Sequence, residues 1–173
     1  RGIVMSLGVR AQESSLSGIF GQGERLCMPP YQRSYSWGER EALDLLGDLA
    51  EATDSSIPHF IGAVVLVNGA ETGLVEIVDG QQRLTTLTIL LAVLRDLETD
   101  KERATALHAM IADDARPMLG EAANWRLTLN YMDGAFFRDT IQRIGATKSL
   151  QNEPGESDSQ QRMVGNATAL LKE

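Results

Sequence analysis

"FIGAVVLVNGAETGLVEIVDGQQRLTTLTILLAVLRDL", residues 60–97, decides how this chain folds. Two β-branched runs, residues 63–67 and 74–78, flank Asn68-Gly69 and Gly73, which favour the tight turn of a β-hairpin. The second run stops at Asp79-Gly80 and a long apolar pattern follows. Leu84, Leu87, Leu91 and Leu94 recur at i, i+3, i+7 and i+10, with Leu90 and Leu97 widening the stripe, so the spacing predicts a core helix. A strand therefore runs through Asp79-Gly80-Gln81-Gln82-Arg83 directly into a helix.

That turn has two readings. In the structural one, Asp79 caps the helix and Gln82, three residues later, closes a capping box, while Gly80 permits the bend and Gln81 and Arg83 are solvated. In the functional one, free backbone N–H groups and the positive end of the helix dipole converge on one spot suited to phosphate. Arg83 forks onto the same anion, Gln81 or Gln82 orients a water, and Asp79 holds a magnesium ion or accepts a proton. Spacing alone leaves both open.

Upstream, residues 12–23 read as a short serine-capped helix covering Leu16, Ile19 and Phe20, and residues 25–29 as a short strand ended by Pro29-Pro30. A loop follows, then a helix with Leu43, Leu46 and Leu49 on one face, capped by Ser36 with Glu39 closing the box. Downstream, residues 101–115 read as a helix, 124–131 as an alternating strand and 134–144 as a helix begun by Asp133. Residues 145–159, rich in Gly, Pro and polar groups, read as a loop or disordered tip before a last helix. Hairpins with helices around and after them, rather than regular strand–helix alternation, define an α+β class. No internal repeat is visible.

The 173 residues suffice for one domain, 1–173, and the apolar fraction of 43% fits a globular one. The apolar pair Leu170-Leu171 at the end suggests a fragment of a longer protein. No run is long enough to cross a bilayer and no signal peptide stands at the start, so the expected place is the cytoplasm, with no membrane partner. The single Cys27 cannot form an internal disulfide and reads as a small buried residue. The net charge of −8 disfavours extended duplex binding through many phosphate contacts. Arginine outnumbers lysine thirteen to three, so the cations are mostly planar forks suited to phosphate, and any anion site is local.

Three blocks now stand in order: Pro29, Tyr31, Gln32, Arg33, Tyr35 and Trp37; then Phe60-Ile61-Gly62; then Asp79-Gly80-Gln81-Gln82-Arg83. Together, over residues 24–97, they resemble the N-terminal domain of GmrSD-type modification-dependent restriction factors, a domain shared by the phosphorothioate-sensing SspE proteins. The later "RLTLNYMDGAFFRDTI" is similar to a further stretch of that family. Each block is weak alone; three in series are specific.

The resemblance implies a ParB/sulfiredoxin-like fold with its site beside the D-G-x-x-R turn, and hydrolysis of nucleoside triphosphates (GTP or a broader set) with magnesium. Asp79, Gln81, Gln82 and Arg83 would be catalytic, Asp79 holding any metal, and Gly80, Arg83 and Thr85 would bind phosphate. The implied partners are modified DNA and a C-terminal nuclease domain that this chain lacks; an oligomer is compatible. Pro29, Pro30, Tyr31, Gln32 and Arg33 would sense the mark. Backbone phosphorothioate fits them physically, because sulfur is cheaper to desolvate against prolines and a tyrosine while Gln32 and Arg33 satisfy the charge. Glucosylated hydroxymethylcytosine is the alternative mark, and a metal-dependent nuclease or a non-catalytic interaction domain the alternative function.

Blander roles stand beside these. Tyr35 and Trp37 suit the core or a helix staple better than base stacking. Arg33 could pair with Asp79 or Glu76, His59 reads as surface or participant, and Trp125 reads as core.

Overall fold

The computed structural model describes residues 12–21, 25–54, 60–69, 73–114, 123–152 and 155–173. His59 lies outside them. Helix α1 (Leu16–Phe20) begins with Ser15, whose side chain accepts the Gly18 N–H, and leads to strand β1 (Arg25–Cys27). Helix α2 is Glu39–Asp54; the hairpin is β2 (Val65–Asn68) and β3 (Leu74–Asp79), and α3 is Gln81–Leu97. Then come α4 (Lys101–Ala109), β4 (Ala112–Asp113), β5 (Asn124–Trp125), β6 (Leu127–Thr128) and α5 (Gly134–Phe137). A π-helical turn (Arg138–Gln142), a 3-10 segment (Ala146–Asn152) and α6 (Asp158–Leu170) complete the chain.

The fold is α+β, as the pattern predicts. Its main sheet is mixed, in the order β2-β3-β1-β6. The hairpin partner β2 is antiparallel to β3, whereas β1 runs parallel to both β3 and β6. Cys27 stands level with Glu76 on one side and Thr128 on the other. The three parallel strands therefore release their chains at the same edge, where open sheets containing parallel strands commonly bind ligands.

Helix α3 is the centre of the core. Leu84, Leu87, Ile89, Leu90, Leu91 and Val93 are buried with Ile77, Leu26, Leu127, Phe137 and Met163. Three threonines are buried on α3, at no polar cost: Thr85, Thr86 and Thr88 donate their hydroxyls to the carbonyls of Gln81, Gln82 and Leu84 at 2.8–2.9 Å. Leu94 and Leu97, expected on the stripe, are substantially exposed.

Several expectations change. Helix α4 ends at Ala109, because residues 112–113 pair with 124–125 in a second, two-stranded sheet. The strand expected over 124–131 is split between the two sheets at Arg126, whose guanidinium turns back to Asp113 at 2.6 Å. Asp133 stands at the N-cap of α5 as expected, but its side chain makes no capping bond and accepts the Ser159 hydroxyl at 2.7 Å instead. The expected loop at 145–159 contains the 3-10 segment, held by Asp96, which accepts Gly145 N–H, Thr147 N–H and the Thr147 hydroxyl at 2.9, 3.1 and 2.7 Å. Leu170 is buried and Leu171 packs on the core. Trp125 packs against the core half-buried. Among the described residues no helix is long and apolar enough to cross a membrane.

Candidate active site

A cleft of about 560 Å³ opens at the carboxyl end of β3. Gln32, Arg33 and Trp37 of the segment after β1 form one wall; Val78, Asp79, Gly80 and the first turn of α3, Gln81 to Arg83, form the other. Two of the three sequence blocks thus meet here, and the third supports them from behind.

That third block, Gly62 onward, is shaped around the turn. Gly80 has φ +89°, a left-handed conformation that favours glycine, and a Cβ there would stand 2.9 Å from Val64 Cγ2 and 3.2 Å from the Ala63 carbonyl oxygen. Gly62 has φ +116°, and its own missing Cβ leaves room for Arg83, whose Cζ would lie 2.5 Å from it. Arg83 Nη1 donates to the Ala63 carbonyl at 3.1 Å, and the guanidinium carbon sits 5.9 Å from the Trp37 ring centroid. The guanidinium is held against Gly62, Ala63 and Trp37, and no carboxylate among the described residues pairs with it. Arg40, Arg95, Arg126, Arg138 and Arg162, by contrast, all have carboxylate partners.

The expected capping box does not form. The cap of α3 is Gly80, without a side-chain bond, and Asp79 Oδ1 accepts the Gly80 N–H at 2.8 Å. The N–H groups of Gln81, Gln82 and Arg83 precede the first helical bond, Leu84 N–H to Gly80 C=O at 3.0 Å, and lie at the positive end of a 17-residue dipole. Nor does Ser36 cap α2. Gly38 does, with Glu41 reaching back to its N–H at 3.0 Å.

The family model described as GmrSD restriction endonuclease, N-terminal domain, matches residues 16–172. The chain belongs to that family. No curated protein matches it.

Within this GmrSD N-terminal domain, the residues expected at the site divide into those that reach the cleft and those that build it. Asp79, Gly80, Gln81, Gln82, Arg83, Gln32 and Arg33 line it. Thr85 does not. It is fully buried with its hydroxyl given to the Gln81 carbonyl, so it cannot touch a phosphate.

Gln82 lines the cleft with its amide largely engaged. Its Oε1 accepts the Ser36 N–H at 2.7 Å and the Trp37 N–H at 3.3 Å, and its Nε2 donates to the Ser34 carbonyl at 3.3 Å. With its oxygen committed to the backbone of the opposite wall and one Nε2 hydrogen left over, its evident work is to fasten that wall to α3. Gln81 differs, since its Oε1 is shielded and has no hydrogen-bond partner. An unmet buried acceptor costs about 1–3 kcal/mol.

The Pro29–Arg33 group is also divided. Pro29 is buried and offers no wall to a ligand, whereas Pro30 and Tyr31 are exposed. Gln32 Nε2 donates to the Val78 carbonyl at 3.0 Å, tying the segment to β3. Arg33 is exposed and pairs with neither Asp79 nor Glu76. Tyr35 is core: Thr86 gives its proton to the Gln82 carbonyl, so the tyrosine hydroxyl donates to Thr86 at 2.7 Å and accepts from Asn166 Nδ2 at 2.7 Å. Burial pushes the Tyr35 hydroxyl pKa above its ordinary value.

Sequence reasoning marked Gly62 only as part of a block, without its role beside Arg83, and missed Asn166. A glycine ahead of a strand and an asparagine inside a helix carry no local mark of the partners they serve.

The donor set bears on a metal. Asp79 brings one hard carboxylate to the cleft, and the described residues contain no group of three His, Cys, Asp or Glu side chains that could hold an ion. That set fits magnesium held jointly with substrate phosphate and water.

Proposed function

We propose that this domain hydrolyses nucleoside triphosphates in the Asp79–Arg83 cleft, as the sensing part of a restriction factor whose nuclease lies in a C-terminal domain. The observation that carries the reading is Arg83: a guanidinium without a carboxylate partner, seated in a space only glycine leaves, at the N-terminus of the core helix.

The chemistry follows from the side chains. The N–H groups of the first turn and Arg83 together oppose the charge of a triphosphate tail, with Gly80 allowing close backbone approach. A water attacks the terminal phosphorus, the bond to the bridging oxygen breaks, and the nucleoside diphosphate leaves. Asp79 Oδ1 is engaged by Gly80 N–H, so Oδ2 is the atom that accepts the water proton or holds the cation. Magnesium, when bound, would neutralise phosphate charge. Gln81, which lines the cleft, is the glutamine offered for positioning the water, and its shielded Oε1 reaches that water only when the side chain turns toward the cleft. Gln82 and Trp37 hold the opposite wall in place.

Sensing of a DNA mark is assigned to Pro30, Tyr31 and Arg33, the exposed part of the segment after β1, with backbone phosphorothioate the favoured mark. Gln32 bonds both to this segment's turn and to β3, which joins the sensing loop to the cleft. The test is phosphate release measured on the protein with no DNA, plain DNA and phosphorothioate-bearing DNA of one sequence. Stimulation by the sulfur-bearing DNA alone is expected. Equal rates in all three would overturn the coupling, and no release in any would overturn the hydrolytic reading.

A further inference from the structure

The chain leaving β6 contains a surface feature outside the cleft. Tyr131 is 82% exposed and Met132 61%, side by side between two buried residues, Asn130 and Asp133. The tip is rigidly built. Asn130 Oδ1 accepts the N–H groups of Met132 and Asp133 at 3.2 and 3.3 Å, its carbonyl accepts Gly134 N–H at 2.8 Å, and Asp133 is bonded to Ser159 of α6. A tyrosine exposed on an anchored turn binds a partner at little cost in ordering.

Position gives the tip its meaning. Cys27, Glu76 and Thr128 stand level across β1, β3 and β6, so residues after each leave from one edge. Four residues after Cys27 comes Tyr31, 73% exposed; three after Glu76 comes Asp79 at the cleft; three after Thr128 comes Tyr131. With neighbouring strands about 4.8 Å apart, the β6 exit lies roughly 10 Å from the β3 exit, more than one nucleotide's length along an extended strand. Because β1 lies between β3 and β6, the order along this edge is the cleft, then Tyr31, then Tyr131. Beside Tyr31 is Arg33, an exposed cation that no carboxylate among the described residues pairs, in a chain of net charge −8. Two exposed aromatic rings on neighbouring strand exits with an unpaired guanidinium beside them match a strand of bases and phosphates.

We propose that Tyr131, with Met132 beside it, is a stacking platform for an unpaired base of a DNA strand that runs along this edge from Arg33 and Tyr31 to the β6 exit, away from the cleft. The inference rests on the DNA-sensing part of the proposed function and is independent of nucleotide hydrolysis. The platform acts on strand binding, so it holds a base in place and has no part in the chemistry at Asp79.

Anisotropy of a short labelled single-stranded oligonucleotide, titrated with the chain and its variants at fixed low salt, tests it. Tyr131→Ala is expected to weaken binding about 5- to 100-fold, as loss of one stacked base does. Tyr131→Phe, which keeps the ring, is expected to bind like the parent. Ile144→Ala, at a 70% exposed apolar residue beyond the far end of α3, is expected to change nothing. Binding by Tyr131→Ala equal to the parent, equal losses in Ile144→Ala, or no strand binding by the parent would each overturn the platform. Phosphate release from the same proteins distinguishes the two readings: its absence in the parent fails the hydrolytic proposal and leaves a bound strand standing.

Discussion

Arg83 occupies the space that a side chain at Gly62 would fill. The two residues are 21 positions apart, and a Cβ on Gly62 would lie 2.5 Å from the guanidinium carbon, closer than any real contact. The glycine of the Phe60-Ile61-Gly62 block and the arginine of the D-G-Q-Q-R block are one feature seen twice in the sequence.

Gly62→Ala is therefore expected to act on Arg83 as much as on the backbone. The positive φ costs about 1–3 kcal/mol for a non-glycine residue. For a domain of this size that lowers the melting point by about 2–4 °C per kcal/mol. Expelling the guanidinium is expected to reduce nucleotide turnover about 100- to 1,000-fold, the range for losing one preorganised donor. Scanning calorimetry and phosphate release on one preparation check both halves.

Gln82 predicts a different pattern. Replacing it with Ala strands the Ser36 and Trp37 N–H groups, for a cost of about 1–3 kcal/mol in urea unfolding. The wall bearing Arg33 and Trp37 loosens, so the Michaelis constant is expected to rise more than the turnover number falls. A catalytic water-positioning role would give the reverse.

The buried Tyr35 hydroxyl links the segment after β1 to α3 and α6. Tyr35→Phe leaves Asn166 Nδ2 with one acceptor, the Trp37 carbonyl, and is expected to cost about 1 kcal/mol of stability. Equilibrium unfolding measures it.

Asp96 predicts an acid limit. Burial pushes its carboxyl up, but hydrogen bonds from Arg95, Thr147 and the Gly145 N–H outweigh that and hold its pKa below the ordinary value. A carboxylate with a lowered folded pKa contributes stability that is complete above its unfolded value, about 3.9, and is lost as pH falls through the folded one. Stability measured from pH 6 down to pH 2 is expected to drop below about pH 4. Asp96→Asn is expected to be less stable at neutral pH and to show a smaller acid drop.

What the sequence made legible follows the range of the interactions. The hairpin and α3 rest on periodicities of two and 3.6 residues within one segment, and both were readable with their ends within two residues. The turn's glutamines and arginine were readable as a site because a strand entering a helix through Asp79-Gly80 is a local arrangement. Their division of labour was not. Gln82 answers to backbone atoms 45 to 48 residues away, and Thr85 is turned inward by the helix's own rotation. The parallel pairing of β1 with β3 and β6, and the 3-10 segment held by Asp96, depend on partners about 50 or more residues distant, which no local pattern announces.

The central claim is that Arg83, placed by Gly62, holds a triphosphate tail. Calorimetric titration of a non-hydrolysable nucleoside triphosphate in magnesium into the parent, Arg83→Ala and Arg103→Ala tests it most directly, Arg103 being an exposed arginine of α4 remote from the cleft. The account predicts binding by the parent and Arg103→Ala and at least about tenfold weaker binding by Arg83→Ala, since a charge-assisted hydrogen bond contributes about 1.5–3 kcal/mol. Equal affinity in all three proteins would contradict it.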